Sequence, residues 1–290
     1  FKVLGTTTLY VGSTQVFNVV LTAMASFLPS GTLSIFKYVQ QLSTKASGLV
    51  MGPIATIYFS KFSIFVSQGK QNLSEYLKKP IFWISIIMVI FLCGGILLGK
   101  EALQILWSKK SLLPKEFNLA YIMLIMNFTG LVFSSAGQIF RKSAVALGYA
   151  QKLYKRWIYV QLFTSTYTFI AIYFTGIYGL ASIPVINMFL LALVSFYTAQ
   201  KSGVDCMYIL KSIFGSTLIF FLSILVISSI LLALLFPFFI FSLIELTVIK
   251  LVLYGLIIGI LSLSFLRKEI VLIMNKNDQL TYKNIIRCKD

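Results

Sequence analysis

The sequence predicts an all-α fold, a polytopic membrane helix bundle of about eight transmembrane helices. Three observations carry this expectation. Of 290 residues, 58% are hydrophobic and 11% charged, where a soluble domain would have about 25% charged. Mean hydropathy is +0.91. The apolar residues also gather in runs near the ~20 residues that a helix needs to cross a bilayer. Backbone groups cannot stay unpaired in lipid, and nothing in the pattern reads as a barrel, so the runs are helices.

The first span is expected at 6–28 and ends in the turn Pro29-Ser30-Gly31. The second, 46–66, is longer than a minimal crossing and begins near Thr32. The others follow at 80–98, 117–139, 157–175, 178–199, 212–235 and 239–265. Polar residues recur at helical spacing in the first six. The last two are nearly pure Ile, Leu, Phe and Ser apart from Glu245 and Lys250, whose spacing puts them about 140° apart on a helix, at an interface rather than in a pair. The chain therefore divides into a six-helix lobe (1–200), a peripheral helix pair (201–265) and a basic cytoplasmic tail (266–290) that meets anionic lipid headgroups. It opens on Phe1, almost inside a span and with no signal peptide, which suggests a piece of a longer protein.

Loop charge orients the bundle. One set of loops holds Lys70, Lys78, Lys79, then Arg141, Lys142, Lys152, Lys155, Arg156, then Lys201 and Lys211, and finally the tail. The opposite set holds Lys100, Lys109, Lys110 and Lys115, all in one loop. The positive-inside rule puts the first set and both chain ends in the cytoplasm. The net charge of +17 is thus accounted for without nucleic acid, since no basic face or nucleic-acid motif accompanies it.

Catalysis and metal binding find little support. There is no His, and Cys93, Cys206 and Cys288 have no paired spacing. The acidic residues, among them Glu75, Glu101, Glu116, Asp205, Glu269 and Asp278, are expected mostly in loops, and no two form an acid/base pair on one membrane helix. No glycine-rich phosphate loop is present. The expectation is no enzyme, no catalytic residue, no metal and no cofactor.

Polar stripes carry the functional reading. On the first span Thr8, Gln15, Asn18, Thr22 and Ser26 share a face. On the second, Lys37, Gln40, Gln41, Thr44, Lys45 and Gly48 do so, with Lys37, Gln41 and Lys45 one turn apart. On the fourth, Asn127, Ser134, Gln138 and Arg141 follow, and on the fifth Gln161, Ser165 and Thr168. Ser and Thr at such positions serve helix packing as readily as a cavity, and Lys37 and Lys45 can snorkel to the outer interface. The alternative is a cationic cavity that holds an anionic substrate. An ammonium at mid-bilayer costs about 2.5–3.5 kcal/mol and persists where it faces water or an anion.

Residues 25–76 carry a family resemblance. Ala25-Ser26-Phe27-Leu28-Pro29-Ser30-Gly31, then Ser34, Tyr38 and Leu42, then Ser47-Gly48, Thr56, Ser60 and Gly69 resemble the MurJ/MviN family of lipid II flippases, in the multidrug/oligosaccharidyl-lipid/polysaccharide exporter superfamily. The match falls on the seventh and eighth helices of that fold, so the remaining spans correspond to helices nine to fourteen and the partner implied is an amino-terminal lobe of the same protein. The resemblance implies alternating access by two lobes around a site near the bilayer midplane. It also implies a polyprenyl-pyrophosphate-linked saccharide as substrate, in the bacterial cytoplasmic membrane. The expected substrate-binding residues are Lys37, Gln40, Gln41, Thr44, Lys45, Gln15, Asn18, Asn127, Gln138 and Arg141. Where the family's eighth helix usually carries Asp-Arg after the Tyr-x pair, this chain has Gln40-Gln41, and the family's Asp-Thr-basic-Thr-Pro loop is replaced by Tyr149-Ala150-Gln151-Lys152-Leu153. These departures keep two alternatives open, an O-antigen or exopolysaccharide-repeat flippase and a non-transporting scaffold for envelope-glycan synthesis; a third, a drug/cation antiporter of the superfamily, would favour a buried acidic residue for ion coupling, which the helices of this bundle lack.

Overall fold

A computed structural model describes residues 2–68, 73–107 and 114–235 and the positions 252, 254–256 and 258. Among them run seven helices: α1 (Lys2–Ser26), α2 (Thr32–Ser67), α3 (Leu73–Trp107), α4 (Pro114–Ala146), α5 (Ala150–Thr175), α6 (Ile177–Lys201) and α7 (Cys206–Leu235). The chain is an all-α, multi-pass membrane bundle, and five of its helices (α2, α3, α4, α6 and α7) are long and apolar enough to cross a bilayer. The other two, α1 and α5, each carry one of the four polar stripes, and they pack on each other. The expected eighth span, 239–265, lies outside the described residues except at the last few positions named above, which are helical. Glu245, Lys250, Cys288 and the basic tail also lie outside them.

The chain forms two compact units, Phe1–Ile219 and Phe220–Asp290, with the boundary inside α7. In the second unit the helix continues to Leu235. The first unit is the bundle proper.

Several helices are longer than expected. α3 has 35 residues and α2 has 36, about 53 Å at a rise of ~1.5 Å per residue, while a hydrocarbon core is ~30 Å thick. The surplus turns stand in the headgroups and water. Glu75, Glu101 and Glu116 therefore lie on helices and not in loops. Hydropathy locates only the apolar middle of each rod, because the ends are free to be polar.

Helix direction alternates along the chain. α4 and α6 keep a constant offset, Phe133 against Phe189 and Phe140 against Phe196, so they run parallel. α3 meets α4 antiparallel, through Ser85 with Ser135 at 3.5 Å and Tyr121 Oη donating to the Ile96 carbonyl at 2.7 Å. The α4–α6 seam is closest at two glycines. A Cβ on Gly137 would sit 2.8 Å from Ala192 Cα, and one on Gly130 would sit 2.9 Å from Met188 Sδ and 3.1 Å from the Pro184 carbonyl. Small residues let membrane helices approach where no hydrophobic effect draws them together. Tyr121→Phe removes one interhelical hydrogen bond and is expected to lower stability by about 0.5–1.5 kcal/mol, read as a small fall in the midpoint of thermal unfolding in detergent.

The turns are built from local chemistry. Gly148 sits at φ 83°, and Tyr149 N–H donates to the Ala144 carbonyl while Gly148 N–H donates to Val145. This αL closure of a helix favours glycine, and it turns α4 directly into α5. Before α7, Asp205 accepts from Tyr208 N–H through Oδ1 at 3.1 Å and donates its own N–H to Ser74 at 2.8 Å. It thereby caps α7 and ties it to the start of α3. Around the α5–α6 turn, Tyr173, Phe174 and Tyr178 are exposed, as aromatic residues are at a membrane interface.

Candidate functional site

The buried face of α2 runs through Ile35, Val39, Ser43, Ser47, Met51 and Ala55. Steps of four trace one inclined ridge, the pattern by which a helix crosses its neighbours obliquely. Lys37, Gln41 and Lys45 fall on the opposite side of the rod, with Gln41, Thr44, Lys45 and Gly48 exposed and Lys37 and Gln40 half-buried. On α1, Phe17, Leu21 and Ala25 face the bundle. Thr8, Gln15, Thr22 and Ser26 are exposed, and Asn18 is half-buried. The structure thus places both stripes on faces that the described helices leave largely exposed. α1 packs on α5, α2 on α4 and α3, and the two touch each other little.

Three of the four hydroxyls on these stripes are occupied. Thr8 donates to the Leu4 carbonyl at 3.0 Å, Ser26 to Ala23 at 2.6 Å and Thr44 to Gln40 at 2.7 Å. Such bonds satisfy the hydroxyl within its own helix. The longer side chains are different: among the described residues Gln15, Asn18, Lys37, Gln40, Gln41 and Lys45 make no side-chain hydrogen bond or ion pair. Two cations and four amides with unused polar groups thus stand on exposed or half-buried positions of α1 and α2.

The α4 residues separate from this group. Asn127 is buried, and its amide donates to the Met123 carbonyl at 2.8 Å, so it serves its own helix. Gln138 Nε2 reaches Met51 Sδ of α2 at 3.4 Å. Lys142 Nζ reaches Thr56 Oγ1 at 3.4 Å, which sets the level of Arg141 and Lys142 beside residue 56 of α2. That is three turns along from Lys45, about 16 Å at ~1.5 Å per residue. Arg141 faces inward. Its guanidinium lies 5.2 Å from the centre of the Trp157 ring, which in turn lies 5.0 Å from Tyr10. Around these residues is a cavity of about 100 Å³ between α1, α4, α5 and α6, also lined by Ser134, Gln138 and Ser195 and walled by Met188, Leu191 and Ala192. Sequence periodicity put Ser134, Gln138 and Arg141 on one face. It missed Trp157 and Tyr10, whose only signal was their place beside polar stripes.

On α5, Gln161, Thr164 and Thr168 are buried. Thr168 donates to the Thr164 carbonyl at 2.8 Å, and Thr164 lies 3.4 Å from Asn187 of α6. The basic residues near the α4–α5 turn are held by neighbours: Arg156 donates to Thr198 at 2.9 Å and stacks on Tyr197.

No family profile matches the sequence. Two curated relatives, each named a probable lipid II flippase MurJ and coming from two strains of Helicobacter pylori, are 27% identical over 153 residues, 52% of this chain and 30% of each relative. Among solved structures, the lipid II flippase MurJ in an inward closed conformation matches with a TM-score of 0.63 at 19% identity, over 89% of this chain and 52% of that one. The chain therefore spans about half the length of the solved flippase that it matches. It is MurJ-like, in sequence over half its length and in fold over most of it.

Proposed function

We propose that this chain is one lobe of a flippase that moves a polyprenyl-pyrophosphate-linked saccharide across the bacterial cytoplasmic membrane by alternating access. Lipid II is the substrate named for its relatives. The observation that carries the reading is the open face of α2, where Lys37 and Lys45 stand with Gln40 and Gln41 and without partners among the described residues. A lysine ammonium suits a phosphate as a mobile point charge. A second, amino-terminal lobe would cover the face, and the two would rock about the site. The polyprenyl tail stays in lipid, and the diphosphate and sugars pass along the polar stripes, so no covalent step is needed. A membrane potential or ion gradient supplies the drive, and both ends of this segment are cytoplasmic.

A second reading, a flippase for an O-antigen or exopolysaccharide repeat, is favoured by one feature, the uncharged Gln40-Gln41 pair in place of the Asp-Arg of the family it resembles. The test is transport by the full-length protein in proteoliposomes, with lipid II and a polyprenyl-diphosphate-linked repeat offered separately. Movement of neither substrate by a folded protein removes the flippase reading and leaves the scaffold. Gln41→Arg is expected to raise lipid II transport relative to the other substrate by several-fold. An unchanged ratio shows that position 41 does not select.

A further inference from the structure

We propose that Lys142 of α4 is the loading point at which the substrate's diphosphate is first held on the cytoplasmic side, before it passes along α2 to Lys45. The inference rests on the transport reading above. α4 packs on α2, and Lys142 reaches round to the exposed side of that rod. Its ammonium lies 3.4 Å from Thr56 Oγ1 and 5.7 Å from the centre of the Phe59 ring. Thr56 is exposed. It follows Lys45 by three turns and falls within about 20° of the same direction at ~100° per residue. The neighbouring Arg141 takes the other course and turns inward onto Trp157. Of these two adjacent cations, one therefore joins the exposed stripe of α2, although in the sequence both read as charges of a cytoplasmic loop.

The chemistry of the contact leaves the ammonium ready for an anion. Thr56 has given its own proton to the Gly52 carbonyl at 2.8 Å, so its oxygen accepts and steadies one N–H of Lys142. Two N–H donors remain. Among the described residues Thr56 is the only hydrogen-bond partner of Lys142, and no carboxylate pairs with it. A held ammonium with free donors suits a phosphate oxygen. Depth agrees. Thr56 lies about 36 Å along α2 from Thr32, beyond a ~30 Å hydrocarbon layer entered near the first turn, and so at headgroup level. Loop charge makes this the cytoplasmic side. A polyprenyl diphosphate resting in the inner leaflet holds its phosphates at that level. Lys45 stands about 16 Å further into the membrane. Between the two, residues 46–55 carry no charge of either sign, and a Cβ at Gly48 or Gly52 would meet nothing within 4 Å. The anion thus has a clear track from one ammonium to the next. A charge that only orients the chain acts from any side of its helix, whereas this one is fixed against the side that the substrate would use.

The test is transport by the full-length protein in proteoliposomes, with a polyprenyl-diphosphate-linked saccharide offered at increasing density in the membrane. Lys142→Gln is expected to raise the density that gives half the maximal rate roughly tenfold, the loss of one charge-assisted contact, with the maximal rate largely kept. Lys142→Arg keeps the charge and should keep most of the affinity. Thr56→Val leaves the ammonium but removes the oxygen that steadies it, and should raise the half-saturating density by less. Lys155→Gln is the control: it removes an exposed basic charge on α5 and should change nothing. Membrane level and thermal unfolding midpoint establish that each variant is folded, and Thr56→Val carries the test of the same contact if Lys142→Gln folds poorly. An unchanged half-saturating density in folded Lys142→Gln or in Thr56→Val, or an equal rise in Lys155→Gln, overturns the proposal while wild-type transport leaves the flippase reading intact. Movement of no substrate by folded wild-type protein overturns both.

Discussion

Gly137→Leu is expected to open the seam between α4 and α6 and leave little folded protein. A Cβ at this position would lie 2.8 Å from both the Cα and the Cβ of Ala192. The obstruction is partly main chain, so no change of rotamer relieves it. The helices must move apart, and Gly130, which fits against Met188 and Pro184 two turns earlier, would lose its contacts as well. Overpacking typically costs about 1–3 kcal/mol, more where the structure cannot relax, and a seam held by a second glycine belongs at the upper end. The measurement is the yield of monodisperse protein after extraction, followed by its thermal unfolding midpoint. Gly48→Leu is the matched control: the same substitution within a helix, at a site where a Cβ meets nothing within 4 Å. Equal losses in both variants would show that leucine harms any glycine here, and that the seam has no special part.

The contrast between these glycines shows how much of the molecule was legible beforehand. Spans could be placed because each must be apolar for about 20 residues, and every described helix overlaps an expected one. The ends could not, since helix turns beyond the lipid carry Glu75, Glu101 and Glu116 as comfortably as a loop would. Gly48 and Gly137 look alike in the sequence, yet one faces open space and the other faces Ala192. Only the partner helix distinguishes them. The same limit applies to the polar stripes. Periodicity correctly grouped residues by face, but a face has no label for what it meets. Asn127 and Arg141 share a stripe on α4. In the structure Asn127 bonds its own backbone and Arg141 stacks in a cavity on Trp157. Trp157 carries no signal in the sequence, since an aromatic residue near a basic turn is ordinary at a membrane interface, and its buried, unpartnered N–H exists only in three dimensions.

The α2 lysines separate the two physical readings of that face. Lys45 lies between three and four turns past the start of α2 at Thr32, about 20 Å along the axis, which is past the middle of a ~30 Å hydrocarbon layer if the helix enters it near its first turn. Its side chain is exposed and turned away from the ridge of Ile35, Val39 and Ser43. If that exposure were to lipid, Lys45→Leu would relieve a burden of up to about 2.5–3.5 kcal/mol, and the variant would unfold at a higher temperature with transport unharmed. If the face lines a wet path for a diphosphate, Lys45→Ala would leave membrane level and unfolding temperature unchanged while transport falls. The loss of one charge-assisted contact, about 1.5–3 kcal/mol, corresponds to roughly a ten- to hundred-fold drop. Lys45→Arg should retain most activity and Lys45→Glu should abolish it, because a carboxylate would repel the diphosphate. Lys37 stands nearer the Gly31 turn, within two turns of the helix start, and Lys37→Ala should cost less. Transport at the wild-type rate in Lys45→Ala, with a gain in stability in Lys45→Leu, would place this ammonium among acyl chains and remove the α2 face from the substrate path.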